Sequence, residues 1–325
     1  MIRVDCQSHV FPRAYAELLL RSTSALRTEK SGDSYHISYG GLQEYRLRLD
    51  MFDPTAKLRD MDAERIDVAV LSINTPGPEL LPVELGVEAA RACNDYLAEL
   101  CGAHRGRFVA VAMLPLQDVA AAMAEYDRAI HGLGLRGVML FSNIHGLPID
   151  APAFEPLYAR ADRDQIPLVL HPAVPSWGEV VKDYSMIPMI GIMMDSTIAM
   201  LRLILSGILE RHPGLSIVHP HCGGALPYLM PRVEEQTEVK RRGREHIRKP
   251  PGEYYRNVYL DIVSPSAQAM QYAYDFSRPD RLLFGSDHPW VKIGVILEHF
   301  DRLAIPAADK AMILGENACR LFRIG

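Results

Sequence analysis

The sequence predicts an α/β fold, a distorted parallel (β/α)8 barrel with an insertion after strand one that lies over the barrel mouth. Three observations lead there. Eight short apolar or β-branched runs recur along the chain, each the length of a buried strand and bounded by turn residues or polar ends. Helix-like stretches alternate with them, and this alternation favours a closed parallel barrel over a doubly wound sheet. The 325 residues are 48% hydrophobic and 23% charged, and they contain no low-complexity linker and no solenoid repeat. They therefore read as one domain over 1–325.

Strand one is Ile2–Cys6. From Phe11 to about Asp53 the chain looks irregular, with a polar stretch over Ser22–Ser38, and this is the expected insertion or lid. Ile66–Ile73 is strand two, followed by the Ala-, Glu- and Leu-rich helix Pro82–His104. Phe108–Leu114 leads into Val119–His131, and Arg136–Phe141 into Phe154–Asp164. Strand five, Pro167–Leu170, precedes helix Ser196–Arg211; strand six, Leu215–His219, precedes Ala225–Arg241. Val258–Val263 is followed by Ser266–Phe276. Arg281–Phe284 is strand eight, with Val295–Leu303 and Ala307–Phe322 closing the chain.

Composition narrows the function. A net charge of −5 offers no electrostatic footprint for nucleic acid. The start, MIRVDCQSHVFP, lacks the apolar core of about 7–15 residues that a signal peptide needs. The most apolar later stretch, Ile187 to Ile208, is interrupted by Pro188, Asp195, Ser196 and Arg202, which argues against a membrane span. The cysteines, Cys6, Cys93, Cys101, Cys222 and Cys319, are odd in number and scattered, which points to a reduced cytoplasm.

In such a barrel the active site lies at the carboxyl ends of the strands. Gln7 and His9 follow strand one, His171 strand five, His221 strand six and Asp287 strand eight. Three imidazoles, an amide and a carboxylate would meet at one end, a plausible shell for a divalent transition metal, Zn²⁺ first and Mn²⁺ as the alternative. Gln7 and His9 are two apart, so on an extended chain they leave the same face. GLGLRG at 132–137 precedes a strand instead of following one and fails as a dinucleotide site. The run KRRGREHIRK at 240–249 is interleaved and flanked by glutamates and reads as a solvated surface.

The motifs VDCQSHVFP, LVLHPA at 168–173, HPHCGGALP at 219–227, FGSDHPW at 284–290 and ILGENACRLF at 313–322 resemble the amidohydrolase superfamily. Within it they are similar to the branch of aminocarboxymuconate-semialdehyde decarboxylase and the metal-dependent benzoate-type decarboxylases. The resemblance runs the length of the chain. It implies that His9, His171 and Asp287 ligate one metal, and that His221 holds or protonates the metal-bound water. A second metal would need a bridging ligand after strand four, where Phe141-Ser142-Asn143 offers none. Gln7 departs from the family's His or Glu; its amide oxygen could ligate a hard cation, bond the metal water or face the substrate.

By the same resemblance Arg48, five before Asp53-Pro54, matches an arginine that binds a substrate carboxylate, a task the guanidinium fork suits. Met189, after strand five, would offer apolar surface to the substrate. His288 and His219 are expected to support the ligands. The expected function is non-oxidative decarboxylation of an aromatic or muconate-like carboxylic acid, with Asp287 and His221 moving the proton. The alternatives are a metal-dependent hydrolase or hydratase on the same scaffold, and a metal-free, non-catalytic homologue. The family also implies a homodimer or homotetramer acting on a small carboxylate.

Overall fold

A computed structural model describes residues 1–325. β1 (Val4–His9) is followed by the insertion, which holds α1 (Arg13–Leu19) and strands β2 (Leu26–Ser31), β3 (Ser34–Tyr39) and β4 (Gln43–Leu47). α2 (Pro54–Ala63) returns the chain to β5 (Val68–Ser72); α3 (Val83–Ala103) leads to β6 (Phe108–Ala110) and α4 (Val119–Asp127) to β7 (Val138–Phe141). After the small hairpin β8 (Asn143–Ile144) and β9 (Leu147–Pro148), α5 (Glu155–Asp164) leads to β10 (Leu168–His171). α6 (Ile192–Leu205) and α7 (Ile208–Arg211) precede β11 (Ile217–His219), and α8 (Leu226–Glu234) and α9 (Pro251–Tyr255) precede β12 (Tyr259–Asp261). α10 (Ala267–Phe276) leads to β13 (Leu282–Leu283), and α11 (Ile293–Asp301), α12 (Ala307–Ala311) and α13 (Asn317–Phe322) finish the chain.

The barrel strands lie in chain order in two parallel sheets, β1-β5-β6 and β7-β10-β11-β12-β13. Isolated parallel bridges join the sheets at both gaps, Ser8 to His288 and Ala112 to Val138. Backbone bonds back them up: the N–H of Cys6 donates to Phe284 O at 2.9 Å and that of Met139 to Ala112 O at 2.8 Å. The cylinder is therefore closed, as expected for an (β/α)8 barrel. Helix starts follow ordinary capping chemistry, since Asp53, just ahead of Pro54, accepts from the N–H of Thr55, and Asp118 from that of Ala121.

Two sequence expectations need correcting. Strand one does not stop at Cys6. Ser8 and His9 pair with Leu71 and Ser72, so the polar residues sit on the strand and not past it. Hydrophobicity placed the end too early because these polar groups are buried at the mouth. The insertion is not irregular either. β2, β3 and β4 form an antiparallel sheet with Leu26 opposite Tyr39 and Tyr35 opposite Leu47. Only one face is buried, by Leu26, Tyr35, Ile37, Tyr45 and Leu47, while charged residues such as Arg27 and Glu29 face outward. The sheet joins the barrel's apolar core, and Tyr15 of α1 donates to Pro76 O at 2.5 Å.

Asp183–Leu205 has the length and mean hydropathy of a membrane span. Half of its most apolar window is buried, and α6 turns Asp195, Ser196, Met200, Leu203 and Ile204 inward. Its regular part, α6, is a helix packed on the barrel.

Candidate metal centre

His9 at the end of β1, His171 at the end of β10 and Asp287 just after β13 converge, with one potential ligand atom from each lying within 4.8 Å of the others. His171 Nδ1 is 2.9 Å from Pro172 O, which only accepts, so Nδ1 carries the hydrogen and Nε2 presents its lone pair. His9 Nδ1 is 2.8 Å from Ser72 Oγ, and its Nε2 is 3.0 Å from Asp287 Oδ1. The serine hydroxyl can donate or accept, so it supports either tautomer, including the one that frees Nε2 for a ligand. Burial lowers the His9 pKa to about 3, helped by the nearby Lys57 and His288. Burial and the neighbouring His9 lower that of His171 to about 4. Both rings are therefore neutral near pH 7, the state that binds a cation. Burial raises the Asp287 carboxyl against the pull of His221 and His171.

Gln7 is buried, yet neither side-chain Oε1 nor Nε2 has a hydrogen-bond partner. A bulge between Asp5 and Ser8 breaks the regular register on β1, a device that re-aims side chains beside active sites. An unpaired buried amide costs about 1–3 kcal/mol. That cost fits a position kept for a ligand.

His221 lies on a turn in which His221, Cys222, Gly223 and Gly224 all have positive φ, from 56° to 77°. Its N–H donates to Asp261 Oδ1 at 2.7 Å, its Nδ1 is buried without a partner, and burial lowers its pKa to about 4. Asp287 also holds a positive φ, 63°, and its N–H donates to Gln7 O at 2.8 Å. At the non-glycine positions His221, Cys222 and Asp287 such conformations cost about 1–3 kcal/mol each, and they gather at functional sites.

The supporting residues are only partly those expected. His219 bonds the Tyr255 hydroxyl through Nδ1 at 2.8 Å. His288 bonds Asp60 through Nε2 at 2.9 Å, and its Nδ1 accepts from Lys57 Nζ at 2.7 Å. Lys57, buried in α2, also donates to Ser8 Oγ at 2.7 Å and so ties the ends of the first and last barrel strands together. Lys57, Ser72 and Asp261 escaped the sequence reading; a buried lysine on a polar helix carries no signal until its distant partners are known. Arg48 forks onto Asp50, at 3.1 Å through both Nε and Nη2, with its side chain half-exposed. Met189 is 70% exposed. Neither belongs to the buried cluster. Ser142 and Asn143, after β7, both donate to Asp195.

A divalent ion suits this donor set, with two neutral imidazoles, one carboxylate and an unpaired amide. Residues 4–324 match the amidohydrolase family. The gamma-resorcylate decarboxylase of Rhizobium sp. (strain MTP-10005) is 32% identical over 295 residues, covering 86% of this chain and 89% of that protein. The crystal structure of 5-carboxyvanillate decarboxylase from Sphingomonas paucimobilis superposes with a TM-score of 0.89 at 25% identity, covering 100% of this chain and 99% of the other. The dihydroxybenzoic acid decarboxylase of Polaromonas sp. JS666, solved with manganese and the inhibitor 2-nitroresorcinol, gives 0.83 at 24% identity, covering 99% and 97%.

Proposed function

The chain belongs to the amidohydrolase family, and from that premise we propose that it is a metal-dependent, non-oxidative decarboxylase of an aromatic or muconate-like carboxylic acid. The observation that carries the proposal is the buried His9–His171–Asp287 group, found in a chain whose relatives are named decarboxylases of aromatic acids. Those names leave no need for the hydrolase or hydratase alternative. One divalent ion is proposed, held by the two Nε2 atoms, the Asp287 carboxylate and Gln7 Oε1. Mn²⁺ is proposed beside Zn²⁺, since an amide oxygen suits a hard ion and the Polaromonas enzyme was solved with manganese.

When bound, the ion supplies Lewis acidity that draws the substrate's oxygen atoms to the centre. The chain's own groups do the rest. Ser72 and Pro172 fix the two imidazoles. Asp287, a carboxylate at rest, would take up a proton from the His221 side on its second carboxyl oxygen and pass it to the ring carbon bearing the substrate carboxylate. That carbon becomes tetrahedral, and CO₂ leaves as the bonding pair returns to the π-system. His221, neutral near pH 7, relays the replacement proton. Arg48 would exchange Asp50 for a substrate carboxylate, and Met189 would add apolar surface at the rim. Exposed Val180, Tyr184, Met189 and Ile190 support a homo-oligomer, and five free thiols a reducing cytoplasm.

Metal stoichiometry by inductively coupled plasma mass spectrometry, followed by CO₂ release from hydroxybenzoates and muconic semialdehydes, tests this reading. About one ion per chain and CO₂ release that His171→Ala abolishes are the expected results. Failure to bind metal, or wild-type turnover in His171→Ala, would overturn it.

A further inference from the structure

Glu79 follows β5 in the turn Pro78–Leu80 at the mouth end of the barrel. It is 1% exposed, and neither carboxyl oxygen has a hydrogen-bond partner. A bare carboxylate in that position would be costly, and burial shifts the group toward its neutral acid, with a pKa of about 8. Other unpaired polar atoms share this end: Tyr45 Oη from the insertion and Asn74 Oδ1 from the loop after β5 are both buried without partners. Glu79 lies close enough to Tyr45, Tyr39 and Tyr15 to disfavour ionisation of each.

The position connects to the metal centre through one ring. A Cβ placed on Gly77 would lie 2.1 Å from Glu79 Oε2 and 2.3 Å from Phe141 Cε2, so the carboxyl and the ring edge are neighbours across a residue that has to be glycine. The same Phe141 ring meets His171 edge-on, with centroids 6.0 Å apart. Glu79 therefore sits one aromatic side chain away from a metal-ligand candidate, on the β5 side of the mouth.

We propose that Glu79, with Tyr45 and Asn74, forms a subsite for a hydroxyl carried on the substrate's aromatic ring, remote from the carboxylate that leaves. A neutral carboxyl offers one donor and one acceptor, and a phenol hydroxyl offers the complementary pair. A site built this way rejects a substrate lacking the hydroxyl, because its own buried groups then stay unpaired. The subsite rests on the aromatic-acid decarboxylase reading and sharpens it, since it selects dihydroxylated over monohydroxylated rings.

The test compares 2-hydroxybenzoate with dihydroxybenzoates whose second hydroxyl is at ring position 3, 4 or 5, away from the carboxylate, using wild type, Glu79→Gln and Glu79→Leu. Wild type should favour one isomer over 2-hydroxybenzoate by about 30-fold or more in kcat/KM. Glu79→Gln, which keeps a donor and an acceptor, should retain most of that ratio, and Glu79→Leu should reduce it to within about threefold. In parallel, calorimetry measures binding of phenol, catechol, resorcinol and hydroquinone to the manganese-loaded proteins. A diphenol preference in Kd that Glu79→Leu removes, without CO₂ release from any acid, would sink the decarboxylase reading and leave the subsite standing. No preference in wild type, or the same preference in Glu79→Leu, would overturn the subsite.

Discussion

Asp287 supplies the only formal negative charge among the four proposed ligands, because Gln7 is a neutral amide. A carboxylate there would add a second charge within a site where both imidazoles are already neutral. Gln7→Glu should therefore tighten Mn²⁺ by about tenfold or more, equivalent to about 1.4 kcal/mol, as read by competition calorimetry. Unchanged affinity would place the side chain out of reach of the ion. Glu79 yields a prediction of a different kind. Its folded pKa of about 8 lies above the ordinary 4.5, so between those values the folded state binds the extra proton. Stability therefore falls as pH rises through that window and levels off above it. At about 1.4 kcal/mol per unit the loss has a ceiling of a few kcal/mol. Glu79→Gln, neutral throughout, should lose this dependence, so its Tm advantage over wild type should grow from pH 5 to pH 8; a constant difference would refute the raised pKa. His9, His171, His221 and Asp287 were legible in the sequence as a candidate group because each lies within three residues of the end of an apolar run. Lys57, Ser72 and Glu79 were not, since Lys57 acquires meaning only through His288, 231 positions away.

Among the elements, the turn after β11 is the most constrained. Gly224 adopts φ 59°, ψ −131°, and a Cβ there would lie 2.4 Å from Thr197 Oγ1 and 3.2 Å from Met193 O. Thr197 cannot yield, because its hydroxyl donates to Met193 O at 2.8 Å and accepts from the Ala225 N–H at 2.9 Å. Gly224→Ala should cost about 2–3 kcal/mol in urea unfolding and lower kcat through the displaced His221. Wild-type stability with wild-type turnover would show that the turn tolerates a side chain. The sequence exposed this turn as HCGG without revealing its strain. It also hid the sheet of the insertion, because β2 carries charges on its solvent face and its alternation is short. Hydrophobic runs mark strands buried on both faces, as in the barrel, far better than strands buried on one.

At the scale of the whole molecule, the proposed ligands come from β1, β10 and the segment after β13, so one ion would link strands from both barrel sheets. The two sheets meet at one seam through the Ser8–His288 bridge, which Lys57 spans from α2. An ion bound by the folded barrel and not by the unfolded chain stabilises it by about 2.7 kcal/mol at a hundredfold excess over Kd. Adding Mn²⁺ to chelator-treated protein should therefore raise Tm by an amount that grows with the logarithm of its concentration, and EDTA should reverse the rise. His171→Ala removes one proposed ligand from the far side of the barrel and should shrink or abolish this metal-dependent shift, whatever its own Tm without metal. Because the readout is the shift and not the baseline, packing lost with the imidazole does not confound it. A full-sized shift in His171→Ala would exclude that side chain from the ligand set, and with it the cross-barrel link.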